Sequence, residues 1–228
     1  MCSSDLSKSQ MRKKVIADLD DEIQKGSWVL QKVTRDDKDL VIWTRLLGNT
    51  RQELMVVVHD SMIHAFGTVV IPELLACMNA MHLISGRDSP FMMVQLPSAQ
   101  AWDRLKSSNT AENSFSLNER QYSRRNLAFY QLFILRVSEY LMATLDDLKD
   151  PLGADRFYHP DDKPVGSQWE YWSSMHQLPL IAAYLAKNPR LSEIADIWRR
   201  RIESYEAGEY KTNALAVLDI VTKSLSEK

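Results

Sequence analysis

Helix starts are the most sharply marked feature of this sequence. A Ser or Thr followed three residues later by Glu or Gln can satisfy backbone N–H groups that the first turn of a helix leaves unpaired. The chain contains four such pairs, which are Ser7 with Gln10, Thr50 with Glu53, Ser116 with Glu119, and Ser167 with Glu170. Apolar residues at helical spacing follow them. The sequence therefore predicts a mainly α-helical, bundle-like protein.

Four stretches of the first two thirds of the chain are predicted helices. Each combines an apolar stripe with a helix-starting residue, and each ends at a glycine or before a proline. These helices are expected at residues 7–26, 50–67, 72–86 and 116–150. The last of them is the longest.

A small β element is expected near the N-terminal end. Residues 28–47 contain two β-branched and aromatic segments, WVLQKVT and LVIWTRLL, separated by the polar RDDKD. This pattern predicts a β-hairpin. Residues 53–58, ELMVVV, are ambiguous because valines also favour a third strand, and we prefer the helix. PFMMVQLP at 90–97 is bounded by prolines and is expected to be a short extended piece.

The chain is expected to divide into four parts. The first six residues, MCSSDL, are interpreted as a non-native leader, because their codons can match the end of a sequencing adapter. Residues 7–148 form the predicted helical domain with its small β element. Residues 149–166 contain three prolines and two glycines without periodicity, which is typical of a linker. Residues 167–228 form a predicted C-terminal group of three helices.

Composition and motifs limit the function classes. Lys plus Arg number 28 and Asp plus Glu 30, so the net charge of −2 gives no global field for nucleic acid. The two cysteines do not form a disulfide scaffold, and the apolar runs are shorter than the roughly 20 residues of a membrane-spanning helix. Glycine loops for phosphate and the nucleophile elbow are missing. We expect a cytoplasmic protein without membrane contact and without a cofactor.

Arginines at the start of the longest predicted helix suggest a negatively charged partner. Cations there oppose the helix macrodipole, so local electrostatics do not explain them. The partner would be single-stranded nucleic acid or an acidic protein. A second basic run lies near the C-terminus, where pairing with glutamates along the helix is the alternative explanation. The candidate nucleic-acid-binding residues are Arg120, Tyr122, Arg124, Arg125, Arg199, Arg200 and Arg201.

Three clustered aromatic residues, Trp169, Tyr171 and Trp172, suggest an interaction surface. Tyr and Trp are enriched at interfaces because they combine a large apolar area with a polar group. A protein partner or self-association is expected there. The alternative is that the two tryptophans are buried and Tyr171 lies at the rim of the core.

The stretch VVVHDSMIH supplies the best enzyme-like pattern. His59, Asp60 and His64 would lie close together on the predicted helix, and imidazole with carboxylate can hold a divalent metal ion. His59 and Asp60 resemble the His-Asp signature of HD-domain phosphohydrolases. That resemblance implies a metal-dependent phosphohydrolase, although the family also uses an upstream His and no His precedes His59. The sequence favours a non-enzymatic binding or assembly protein, with the phosphohydrolase as the alternative.

Overall fold

The fold is mixed α/β. The computed structural model describes residues 6–24, 26–35, 38–59, 62–81, 92–95, 122–123, 127–161, 177–204 and 208–226. Strands occupy most of residues 29–70, where one small hairpin and a helix were expected. The prediction of a mainly α-helical bundle is therefore wrong.

The elements are numbered here along the chain. They are α1 (Lys8–Gln24), β1 (Val29–Arg35), β2 (Lys38–Leu47), β3 (Thr50–Val58), β4 (Met62–Val70), α2 (Pro72–Ala80), β5 (Met92–Gln95), β6 (Tyr122–Ser123), α3 (Leu127–Arg136), a π-helical turn (Val137–Met142), α4 (Ala143–Asp147), α5 (Pro151–Tyr158), α6 (Leu178–Leu185), α7 (Leu191–Glu203) and α8 (Glu209–Ser226). They group into two compact units. The first comprises Met1–Leu47, Arg51–Val69 and Met93–Asp146, and the second comprises Gly48–Thr50, Val70–Met92 and Asp147–Lys228.

A sheet forms the centre of the first unit, with the strand order β1-β2-β3-β4-β5 and β6 also paired with β4. The hairpin predicted over residues 28–47 is confirmed, since β1 and β2 are antiparallel and Val29 pairs with Thr44. Residues 53–58 belong to β3, so the predicted helix over 50–67 is wrong. Residues 50–56 of β3 and 62–67 of β4 alternate between buried and more exposed positions, which is the period of a half-buried sheet.

Thr50 and Glu53, the expected helix cap, bond instead to residues outside that helix turn. The Thr50 hydroxyl donates to the carbonyl of Lys149 at 2.6 Å. The Glu53 carboxylate accepts from the hydroxyl of Thr68 on the neighbouring strand at 3.2 Å. Neither side chain is left to cap a helix, and the tertiary contacts override the local signal.

The capping pair at the start of α1 is confirmed. The Ser7 N–H donates to Gln10 Oε1 at 2.8 Å, and the Gln10 N–H donates to Ser7 Oγ at 3.3 Å. The predicted stripe is also present, because α1 buries Met11, Val15, Leu19 and Ile23. This stripe packs α1 against β2 and α3 on one face of the sheet.

The long predicted helix is present only in part. Helical structure runs from α3 through the π-helical turn to α4, and it ends before Pro151 as expected. Tyr122 and Ser123 form a strand instead of helix, so the predicted continuous helix from residue 116 is wrong there. The capping pairs Ser116 with Glu119 and Ser167 with Glu170 lie outside the described residues. At the π-helical turn, the hydroxyls of Ser138 and Thr144 donate to the carbonyls of Leu135 and Tyr140.

The α3–α4 segment packs tightly on β4 at Gly67. A Cβ atom there would lie 2.7 Å from Leu145 Cδ2, closer than real contacts allow. Glycine therefore lets the segment approach the strand. The largest buried apolar residues of this core include Trp43, Leu54, Ile63 and Phe133.

A buried arginine ties the same core together. Arg45 Nε donates to Gln52 Oε1 at 2.7 Å, and the guanidinium lies 4.3 Å from the ring centre of Trp28. The guanidinium also forms an ion pair with Asp146. Gln52 Nε2 in turn donates to the carbonyl of Leu145 at 2.5 Å. A buried cation needs such compensation, and these bonds supply it.

Helix α6 is central to the second unit. Its residues 178–183 are all buried, and it contacts α2, α5, α7 and α8. Helix α5 lies within residues 149–166, the segment interpreted as a linker. The four-part division of the chain stays a prediction. Within the part of the chain that is described, no helix is both long and apolar enough to cross a membrane.

Asp150→Ala is expected to lower the free energy of unfolding by about 1 kcal/mol. Asp150 is the N-cap of α5, and its Oδ1 accepts from the Gly153 N–H at 2.8 Å. Chemical denaturation would measure the loss. Asp150→Asn keeps an acceptor oxygen and should retain most of the stability. If both variants lose equally, the negative charge rather than the cap is responsible.

Candidate functional site: the outer face of the sheet

The sheet presents two different faces. One face packs against α1 and the α3–α4 segment. The other face, here called the outer face, alternates with it along the strands and is mostly half-exposed. The outer face includes Val29, Thr44, Leu46, Met55, His59, Met62, His64 and Phe66.

Two strongly exposed apolar side chains lie at one corner of the outer face. Val29 is 62% exposed and Leu46 is 71% exposed. Because Val29 pairs with Thr44, Leu46 is its diagonal neighbour, at a typical distance of about 7–8 Å. Adjacent apolar side chains in water are a feature of interaction surfaces.

Strand β1 forms the edge of the sheet beside this corner. Among the described strands it pairs only with β2, so the backbone groups on its other side face no strand. Such an edge is a template for another extended chain. The strand, VLQKVTR, contains Lys32 and Arg35 and no acidic residue.

Three rings follow one another on the opposite part of the outer face. The ring centres of His59 and His64 are 5.2 Å apart, and those of His64 and Phe66 are 6.1 Å apart. The two histidines are thus brought together, as the sequence suggested. The prediction that a helix does so is wrong, because His59 directly follows β3 and His64 lies on the adjacent strand β4.

The predicted metal site is only partly described. Asp60 lies outside the described residues. Within the described ranges, no group of three His, Cys, Asp or Glu side chains could hold a metal ion. The phosphohydrolase alternative stays a prediction from the sequence.

The polar end of the outer face is internally paired. Glu53 accepts from Arg51 at 2.5 Å and from Thr68 at 3.2 Å. These contacts hold the carboxylate beside a cation that is itself well exposed. The pair gives this end of the face little net charge.

The second unit contains a buried polar cluster that sequence analysis missed. Asn188 Nδ2 donates to Asp155 Oδ2 at 2.7 Å, and His159 Nε2 lies 3.1 Å from the carbonyl of Pro179. Because a carbonyl only accepts, this contact requires a proton on Nε2. The same nitrogen lies 4.0 Å from Asp155 Oδ1. The cluster joins α5 to α6 and to the turn before α7.

Burial sets the protonation of this cluster. It lowers the pKa of His159 from 6.5 to about 4, against a raising effect of the bond to Pro179. It also raises the pKa of Asp155, which the bond from Asn188 partly offsets. Desolvation disfavours the charged form of each group. His159 is therefore a neutral imidazole at physiological pH.

The candidate nucleic-acid residues are only partly placed. Tyr122 lies in β6, whose backbone pairs it with Ile63, so it is not at a helix start. On α7, Arg199 and Arg200 are exposed and Arg201 is half-buried. Arg200 and Arg201 occupy the last turn, where cations favour the helix dipole, so they have a structural explanation. Arg120, Arg124, Arg125, Trp169, Tyr171 and Trp172 lie outside the described residues.

Comparison with known proteins adds no functional assignment. No protein-family model matches the sequence, and no curated protein or solved structure matches it significantly. The edge of β1, the ring series and the buried cluster are therefore the features from which a function can be argued.

Proposed function

We propose that the protein binds a partner protein by accepting an extended, acidic segment of that partner along the edge strand β1. The observation that carries this proposal is the edge of β1, which pairs with no strand but β2 among the described residues and lies beside the exposed side chains of Val29 and Leu46. The partner would be part of an assembly in which this chain serves as a binding module.

Strand addition would use the backbone N–H and C=O groups of β1 and the side chains beside them. An added strand forms backbone hydrogen bonds with β1, and every second side chain of that strand faces the outer face. Apolar residues at those positions contact Val29, which lies on β1 itself, and remove its surface from water. About 25 cal/mol is gained for each Å² of apolar surface that is buried.

Charge selects the partner. Strand β1 contains two cations and no acidic residue, so an incoming strand with carboxylates is complementary to it. A second copy of this chain, paired edge to edge, would bring the Lys32 and Arg35 of both copies to one shared edge. Like charges there are destabilising. The partner is therefore assigned as a different, acidic chain.

Val29→Asp is expected to weaken binding of an acidic extended peptide by about tenfold, which corresponds to about 1.4 kcal/mol. The new carboxylate would be desolvated against the valines of the peptide that lie on the same face. The probe is a fluorescein-labelled decapeptide of alternating valine and glutamate, and the measurement is fluorescence anisotropy. Leu152→Asp is the matched control, because Leu152 is 45% exposed and lies on α5. It should bind as the native protein does.

Several results would overturn this function. If a decapeptide of alternating valine and lysine binds as tightly as the valine and glutamate decapeptide, charge does not select the partner. Concentration-dependent dimerisation that Val29→Asp abolishes would make the second copy the occupant. Binding of a labelled single-stranded oligonucleotide, lost on changing Arg120, Arg124 and Arg125 to Gln, would favour the nucleic-acid alternative instead.

A further inference from the structure

The hairpin between β3 and β4 brings three ligand-type side chains to one place. The backbone N–H of His59 donates to the backbone carbonyl of Met62 at 2.8 Å, which makes these two residues direct cross-strand neighbours. His64 follows Met62 by two residues on β4 and so points to the same face. All three side chains are half-exposed at the turn end of the outer face.

The separation of the imidazoles suits a shared metal ion. Two imidazoles on one tetrahedral ion, with metal–nitrogen distances of about 2.0 Å, have ring centres about 5 Å apart. The ring centres of His59 and His64 are 5.2 Å apart. Rotation about the last side-chain torsion of a histidine is soft, so the ring nitrogens can turn toward a common ion without backbone movement.

The third side chain determines which metal fits. Cβ atoms of direct cross-strand neighbours are about 4.5–5.5 Å apart, and methionine is long and unbranched enough to place its sulfur beside the imidazoles. A thioether is a soft ligand that selects Cu⁺. Structural Zn²⁺ sites use four protein ligands from Cys, His, Asp and Glu. No group of even three such residues occurs within the described ranges. We infer that His59, Met62 and His64 bind one Cu⁺ ion per chain.

This site is independent of the proposed partner edge. His59 directly follows β3, and Met62 and His64 lie on β4, whereas the peptide would occupy the far side of β1. Loss of one activity therefore leaves the other intact. Cu⁺ binding is not coupled to any reaction in this inference.

The test is an anaerobic competition titration of the full-length chain with Cu⁺ and the chromophoric chelator bicinchoninate. Thiols also bind Cu⁺, and Cys77 is a free cysteine, so both cysteines are changed to serine in every protein. One equivalent of Cu⁺ should bind. Met62→Leu and His64→Gln should each weaken binding by about tenfold or more, because each removes one of three ligands.

A matched methionine on the same face is the control. Met55 lies on β3, four residues before His59, which corresponds to about 13 Å along a strand. Met55→Leu should bind Cu⁺ as the parent does. X-ray absorption at the copper edge should show one sulfur and two nitrogen ligands. Circular dichroism of the conservative Met62→Leu variant checks that the fold is kept.

Three results would overturn the inference. Cu⁺ binding that disappears with the cysteines would place the metal on the thiols. Equal Cu⁺ affinity of the Met62→Leu and parent proteins would show that the thioether of Met62 is not a ligand. Tighter binding of Zn²⁺ than of Cu⁺ in the parent would show that a harder ligand set, different from this one, holds the ion.

Discussion

Gly153→Ala is expected to lower the free energy of unfolding by about 3 kcal/mol, through steric conflict between helix α5 and the backbone of Asp147. A Cβ atom at this position would lie 1.9 Å from the carbonyl oxygen of Asp147. That oxygen belongs to the backbone, so it cannot move aside as a flexible side chain does. The Gly153 N–H also bonds to the cap Asp150, and shifting the helix start would break that bond.

Urea denaturation measures this loss, and Gly208→Ala is the matched control. A Cβ atom at Gly208 would meet no atom within 4 Å, so that variant should unfold close to the native midpoint. Equal midpoints for the Gly153→Ala and native proteins would contradict the close approach of α5 to Asp147.

The second large effect concerns acid stability. The free energy of unfolding of the native protein should fall by up to about 3 kcal/mol as pH falls from 7 to 4. His159→Gln is expected to remove this fall. Glutamine can still donate to the carbonyl of Pro179, but it does not titrate. The measurement is the free energy of unfolding as a function of pH for both proteins.

The sign follows from the pKa of His159, which is lowered from 6.5 to about 4 in the fold. Above pH 6.5 the imidazole is neutral in both folded and unfolded chains, and its contribution is constant. Below that pH, His159 binds a proton in the unfolded chain but not yet in the folded chain. Stability is therefore lost as pH falls through this window. Arg190 also lowers this pKa, so it acts in the same direction.

Asp155 acts with the opposite sign. Its raised pKa means that the folded chain retains a proton more strongly than the unfolded chain, so its contribution to stability is lost as pH rises. Asp161 strengthens this effect, while Asn188 and Arg156 oppose it. Asp155→Asn should therefore favour the fold more at neutral pH than at acid pH. Parallel pH profiles for the native, His159→Gln and Asp155→Asn proteins would contradict this account of the cluster.

Local sequence signals succeeded where the local interactions remain in the fold. Ser7 and Gln10 cap α1 as predicted, because both partners lie within one turn and bond to each other. The hairpin of β1 and β2 was predicted from its β-branched and aromatic residues. At Thr50 the same kind of signal failed, because Lys149, far along the chain, accepts its hydroxyl.

The stretch 50–70 shows how two periods can coexist in one sequence. Leu54, Val58 and Met62 are spaced four apart, which suits a helix, yet Leu54, Val56 and Val58 are spaced two apart, which suits a strand. The chain takes the strand period, and all three residues of the second set are fully buried. Only the neighbouring strands decide between the two, and a single sequence does not show them.

The candidate sites illustrate the same limit. Sequence proximity was enough to suggest that His59 and His64 meet, although the geometry came from a hairpin. The Asp155 and His159 cluster gave no local signal, because its partners Asn188 and Pro179 lie 33 and 20 residues away. Both titratable residues also lie in a segment whose composition is typical of a linker.

The π-helical turn at Val137–Met142 makes chain length itself a constraint. The widened turn takes up one extra residue, so the residues that follow keep the positions they would have in an α-helix one residue shorter. If the same residues formed an ordinary α-helix throughout, everything that follows would be rotated by about 100°. Leu145 would then leave its place against Gly67, and its carbonyl would no longer receive Gln52. Related sequences that lack one residue within this turn should therefore be α-helical there and keep the core, whereas a deletion elsewhere in the α3–α4 segment should disrupt it.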